Sequence, residues 1–212
     1  MIILVNGATR TLRRRACPYL GHLLSPMARN HIDSLLQTGL VWAADNGAYS
    51  GFNADAFQRM LRQLIGKPRC LFVVAPDVVA DAAATLELFD SWQPIISNLG
   101  LPVALVGQDG QEALRVPWDR LQAFFIGGST EWKLSQAAAR LAIEAKRQHK
   151  WLHMGRVNSL CRLRYAYQLG CDSVDGSRFS WFPDHSLPRY LRALQRFTLE
   201  EASGLFQQFR WN

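Results

Sequence analysis

Short apolar, β-branched runs recur along the chain, and segments of helical period separate most of them. The runs are "IILVN" (2–6), "VWAAD" (41–45), "CLFVVAPD" (70–77), "PVALVGQ" (102–108), "AFFIGG" (123–128), "KWLHMG" (150–155) and "CDSVD" (171–175). Unbroken apolar runs of this length predict strands buried on both faces. Between them, "NADAFQRMLRQLIG" opens on a capping residue, Asn53, and stops at Gly66. "DAAATLELFDSW", "STEWKLSQAAARLAIEAKRQ" and "NSLCRLRYAYQLG" follow the same logic. The tail "TLEEASGLFQQF" opens with a capping box from Thr198 to Glu201.

Alternation of strand and helix at this spacing predicts an α/β protein with parallel pairing through right-handed crossovers. Seven strands can be read and an eighth cannot. Both an open doubly wound sheet and a compact (β/α)8-type TIM barrel fit the pattern. Residues 7–40 are the least regular part and are expected to form a long loop or lid, leaving a barrel incomplete or irregular near its N-terminus. The chain shows no linker, low-complexity segment or internal repeat. Residues 1–212 therefore read as a single domain.

Composition narrows the class. A length of 212 residues with 49% hydrophobic content is enough for a proper core and argues against disorder. No apolar run approaches the roughly 20 residues of a membrane helix. The start, "MIILVNGATR", lacks the pattern of a secretory signal. The expectation is a cytoplasmic protein that does not enter a membrane. The four cysteines, Cys17, Cys70, Cys161 and Cys171, form no CxxC pair and have no histidine at ligand spacing. They read as small core residues, with neither zinc nor a disulfide framework implied. The segment "VNGATRTLRR" after the first strand is not GxGxxG, and GxxxxGK[ST] is absent. No nucleotide cofactor or metal is therefore expected.

The charge points outward to a partner. The net charge is +7 and arginine dominates the excess, with Arg10, Arg13, Arg14 and Arg15 early, then Arg162 and Arg164, then Arg189, Arg192 and Arg196. The guanidinium fork suits phosphate, so a polyanion such as nucleic acid fits, and so does a merely solvated basic surface.

Polar and special residues gather where the strands stop. "ADNGAY" ends the second strand with Asp45, "APDVVAD" the third with Asp77 and then Asp81, and "VGQDG" the fourth with Gln108. "IGGS" follows with Gly127 and Gly128, "HMGRVN" with Gly155, and "GCDSVDGSR" with Asp175. In parallel α/β architectures the carboxyl ends of the strands share the face where active sites form. Each aspartate alone reads as a turn or cap residue. Three acids and a glutamine at corresponding points of successive units suggest a polar ring. Glycines at that level let a ligand approach the backbone.

These segments resemble, in order, those of the tRNA-guanine transglycosylase superfamily and its DNA-acting, DpdA-type relatives that install deazaguanines. "DNGAY" is similar to the family's Asp-Ser-Gly-Gly-Phe segment and "APDVVAD" to its second acidic segment. "LVGQDG", "FIGGS" and "LHMGRVN" resemble its Val-Gln-Gly, Gly-Gly and Leu-Met-Gly stretches, and "GCDSVDGSR" the segment of the catalytic aspartate. The matches span residues 41–180. The resemblance implies a barrel in which Asp175 is the nucleophile at the sugar's anomeric carbon and Asp45 the acid/base beside it. It implies that Asp77 and Gln108 bond the base edge, with Gly127, Gly128, Met154 and Gly155 packing on the base. Asn46 and Ala48 replace a serine and a glycine of the family pattern, and the family's cysteine-rich zinc module is missing. A short barrel of this kind suits DNA better than tRNA as partner.

The residue types suit glycosidic chemistry. Breaking an N-glycosidic bond builds positive charge on the sugar and negative charge on the base. One carboxylate stabilises the first, and a second, protonated carboxyl serves the second. Base-edge groups would read a base flipped from the helix. Arg156, Arg162, Arg164 and Arg178 are candidates for the phosphates on either side. The expected function is a DNA glycosylase that removes a modified base, as in antiviral defence, and leaves an abasic site. The alternatives are exchange of guanine for a 7-deazaguanine, a non-catalytic nucleic-acid-binding barrel, and a Mg²⁺-dependent hydrolase using Asp45, Asp77 and Asp175 as ligands. Several other residues have plainer readings. His153 reads as a packed strand histidine, His185 as a loop histidine, and Asp81 as a helix cap. Asp172 is expected to point away from Asp175. Trp181 and Phe182 either stack on a base or pack a loop. No lysine ends a strand, so Schiff-base chemistry is not suggested.

Overall fold

The computed structural model describes residues 1–7, 9–26, 32–33 and 37–203. Eight parallel strands close into a barrel in chain order. They are β1 (Ile2–Asn6), β2 (Leu20–Leu24), β3 (Val41–Ala44), β4 (Cys70–Val74), β5 (Val103–Gly107), β6 (Ala123–Ile126), β7 (Trp151–Met154) and β8 (Ser173–Asp175). Closure comes from β8 returning to β1, where Ile3 lies opposite Val174 and Leu4 opposite Asp175. The fold is a compact (β/α)8 barrel, and the open-sheet alternative falls away.

Helices pack outside it: α1 (Thr9–Arg14), α2 (Ala54–Leu64), α3 (Ala82–Asn98), α4 (Thr130–Lys133), α5 (Gln136–Arg147), α6 (Leu160–Gln168), α7 (Ser177–Trp181) and α8 (Pro183–Ala202). Their starts follow the expected chemistry. Asn53 accepts from the Ala56 amide at 2.9 Å and Asp81 from the Ala84 amide at 3.0 Å, which satisfies N–H groups that the helix leaves orphaned. The run 129–148 divides into α4 and α5 because it contains two caps, Ser129 and Ser135. Thr198 is not a cap. It lies inside α8, and its hydroxyl donates back to the Leu194 carbonyl at 3.1 Å, so the expected capping box does not form. The rest of that tail, 204–209, lies outside the described residues.

The eighth strand is β2, within the stretch expected as a loop or lid. Residues 7–40 instead contribute α1 and β2, apart from positions 8, 27–31 and 34–36, which lie outside the described residues. The reason β2 is hard to read is its composition. "LGHLL" carries a glycine and a histidine and no β-branched residue. The glycine is required by packing: a Cβ on Gly21 would stand 2.8 Å from Leu4 Cδ2 and 2.9 Å from the Val41 carbonyl. Close approach to the neighbouring strands removed the side chain that would have marked the strand.

Period-two alternation divides the core into two layers. Leu4, Leu23, Ala43, Phe72, Val74, Ala104, Val106 and Ala123 fill the barrel interior. Ile3, Val5, Leu24, Trp42, Phe124 and Met154 belong to the shell between the strands and the helices. A fully buried side chain of the larger kind contributes about 1.5–3 kcal/mol. The interior is thus a packed plug, and a ligand can enter only above it. The same parity carries the chain from Ala43 to Asp45, from Val106 to Gln108, from Phe125 to Gly127, from His153 to Gly155 and from Ser173 to Asp175. Among the described residues, no helix is long and apolar enough to cross a membrane.

Candidate active site

A cavity of about 630 Å³ opens above this plug at the carboxyl ends of the strands. Asp45, Asp77 and Asp175 line it, together with Gln108, Gly127, Gly128 and Gly155. The polar ring expected from the strand ends is therefore assembled in space.

Asp175 closes β8, and its side chain is 20% exposed. Its Oδ1 lies 3.1 Å from His153 Nε2 and accepts from the Arg156 amide at 3.3 Å. Two glycines keep room around it. A Cβ on Gly155 would stand 2.7 Å from the Phe125 ring and 3.1 Å from Asp175 Oδ1, and one on Gly176 would stand 2.6 Å from Asn158 Oδ1.

Asp45 follows β3 on another part of the rim. Its Oδ1 accepts from the Asn46 amide at 2.9 Å. Its pKa is raised to about 7, chiefly by burial and then by the charges of Asp175 and Asp77, against the pull of the Asn46 and Gly47 amides. This carboxyl can hold a proton near neutral pH.

Asp77 is clamped between two side-chain amides. Asn46 Nδ2 donates to one oxygen at 2.7 Å and Gln108 Nε2 to the other at 2.6 Å. Burial raises its pKa, and the two amides and Arg156 oppose that rise. The amides are themselves held. Asn46 Nδ2 also reaches the Ala75 carbonyl at 2.7 Å, and Asn46 Oδ1 accepts from the Ala48 amide at 2.7 Å. Gln108 Oε1 accepts from the Ala80 amide at 2.9 Å and the Gly128 amide at 2.8 Å. Gln108 is therefore mainly a bracket that fixes Asp77 and Gly128, and Asp77 is the acceptor that faces the cavity. Gly127 must lack a side chain, since its Cβ would meet Val106 Cγ1 at 2.4 Å.

The other expected site residues divide. Arg156 lines the cavity, donates to the Gly128 carbonyl and lies over the Tyr49 ring at 5.5 Å. Arg162 donates to the Arg156 carbonyl at 3.3 Å. Arg178 is exposed on α7, directly after the Asp175 turn. Arg164 pairs instead with Glu200 of α8 at 2.9 Å and lies over Phe197 at 5.4 Å, in the packing of α6 against α8. Met154 corrects the expected base pocket. It is fully buried in the outer shell, because parity in β7 turns His153 inward and Met154 outward. Asp81 caps α3 as expected, and Asp172 takes Lys146 and the Leu152 amide. Trp181 lines the cavity and is largely exposed, while His185 is exposed on α8.

Three contributors escaped the sequence reading. His153 is packed against Phe72 and Phe125, as expected of a core histidine, and yet it also reaches Asp175. Its inward parity, two positions before Gly155, was the available signal. Asn46 holds Asp77, a role that only the fold reveals. Lys133 is buried, its Nζ donating to the Gly155 carbonyl, and its pKa falls to about 7 through burial and the nearby Arg156, against the attraction of Asp175. It comes from α4 and not from a strand end, so the strand-end pattern did not include it.

Among the described residues, no group of three or more His, Cys, Asp or Glu is arranged to hold a metal ion. The fold and cavity define a (β/α)8 barrel with an acidic, amide-braced mouth. No protein-family model and no curated protein sequence matches this chain.

Proposed function

We propose that this protein cleaves the N-glycosidic bond of a nucleobase in DNA and leaves an abasic site. The observation that carries the reading is a pair of carboxyls in unlike surroundings over one cavity. Asp45 is driven to about pKa 7 by burial and neighbouring acids, while one oxygen of Asp175 meets a buried histidine and a backbone amide. Such a pair divides acid and nucleophile duties.

The chemistry follows with its atoms balanced. Asp175 forms a bond to the anomeric carbon as the carbon–nitrogen bond breaks. The electron pair goes to the base, which takes the proton of Asp45. A water then adds to the anomeric carbon, gives its proton to the Asp45 carboxylate and releases Asp175. The products are a free base and an abasic sugar. Asp77 presents an acceptor edge, which suits a base with an amine or ring N–H donor. Flipping is required, because the reacting atoms lie above the plug and inside the mouth. Exposed Tyr49 and Trp181 at the mouth offer stacking surfaces. The net charge of +7 suits a phosphate backbone. A modified base in phage DNA is the substrate class we favour, and exchange for a free base is the second outcome of the same first step.

The test is incubation with plain and base-modified DNAs, read as alkali-labile sites and as released base by mass spectrometry. Wild type is expected to release base, and Asp175→Asn to lose about 10³-fold or more of the rate while melting within a few degrees of wild type. Incorporation of a supplied free base without abasic sites would turn the reading to exchange. Full activity in Asp175→Asn would remove it.

A further inference from the structure

We propose that His153 is a positioning residue for Asp175: its Nε2–H anchors one carboxylate oxygen, so that the other is presented to the sugar. This rests on the glycosidic reading above.

The geometry starts below the site. Trp151 and Ser173 both face the barrel interior, and Trp151 Nε1 donates to Ser173 Oγ at 2.8 Å. An indole N–H only donates, so this hydroxyl acts as acceptor there. His153 Nδ1 lies 2.8 Å from the same hydroxyl. With the ring proton on Nε2, facing the Asp175 carboxylate, Nδ1 is left to accept and the Ser173 hydroxyl donates to it. The opposite tautomer would turn the Nε2 lone pair towards a carboxylate oxygen 3.1 Å away, which is repulsive. The relay runs from Trp151 through Ser173 and His153 to Asp175, each member aligned by the one before it.

The order of burial assigns the roles. His153 is 0% exposed and held between Phe72 and Phe125, whereas Asp175 lines the cavity. The histidine thus stands behind the acid and cannot reach a ligand itself. His153 Nε2 and the Arg156 amide converge on Oδ1, which leaves Oδ2 as the attacking oxygen. Fixing the carboxylate plane in this way favours the near-attack geometry.

The test combines kinetics with a spectroscopic arm that needs no substrate. His153→Leu and His153→Gln are compared in single-turnover base release and in DNA affinity, with Asp175→Asn alongside. His153→Leu is expected to slow release about 10- to 100-fold with DNA affinity within about twofold of wild type. The glutamine amide is expected to restore most of the rate. The imidazole nitrogen shifts of wild type should report an Nε2–H tautomer, and those shifts should move in Asp175→Asn. Wild-type release rates in His153→Leu, with Asp175→Asn inactive, would overturn the positioning role and leave the glycosidic reading standing. An Nδ1–H tautomer would overturn it whether or not base is released. If no DNA yields base, the function reading fails separately, and the tautomer still decides whether His153 holds Asp175.

Discussion

The two walls of the cavity hold their acids by different means. On the β7–β8 wall, Asp175 is backed by an imidazole in the plug and by a backbone amide. On the wall built from β3, β4 and β5, Asp77 is clamped by the amides of Asn46 and Gln108, and Asp45 is left with backbone donors and two acidic neighbours. At Asp77 the amide donors oppose the rise that burial brings, while at Asp45 the charges of two other acids add to it. The contrast teaches that a small barrel can set one residue type in unlike surroundings by varying only what stands behind each.

After Asp175, that contrast is broken most severely at Asp45. If Asp45 is the proton donor, base release should fall about tenfold per pH unit above about pH 7, the value to which its pKa is raised. Asp45→Asn should lower the plateau about 10²- to 10³-fold and erase that basic limb, which a pH–rate profile would show. Stability should respond in the opposite sense. The folded-state pKa of about 7 exceeds the ordinary value of 3.8, so the folded state binds more protons between these values. Wild-type stability should therefore fall as pH rises from about 4 through 7. Asp45→Asn should match wild type near pH 4 and melt several degrees higher at pH 8.

A smaller effect is expected on the amide-braced wall. Gln108→Ala would strand the Ala80 and Gly128 amides and take one donor from Asp77. Urea unfolding should show a loss of about 1–3 kcal/mol, and substrate affinity should weaken roughly tenfold with a smaller change in the rate of bond cleavage. The smallest effect should come from Arg164→Ala. Its guanidinium is engaged with Glu200 and Phe197, so DNA affinity in a salt titration should stay within about twofold of wild type. A large drop there would move the DNA path onto the α6–α8 face.

Much of this architecture was legible in local pattern. The runs at 41–45, 70–77 and 171–175 announced strands, and the aspartates that end them announced a polar rim. What local pattern concealed has a physical reason in each case. β2 was hidden because Gly21 must pass against Leu4 and Val41. Met154 was misplaced because motif position says nothing about strand parity. Lys133 was missed because a side chain reached the site from a helix.

The sequence by itself determined the alternation of strands and helices, the caps at Asn53 and Asp81, and the presence of an aspartate after three of the strands. Only the tertiary structure decided that the sheet closes, because closure depends on β8 finding β1. It alone decided that His153 meets Asp175, since adjacent strands must pair in register before side chains on them can touch. It also set the pKa of Asp45, because burial and the charges of Asp77 and Asp175 are supplied by distant parts of the chain.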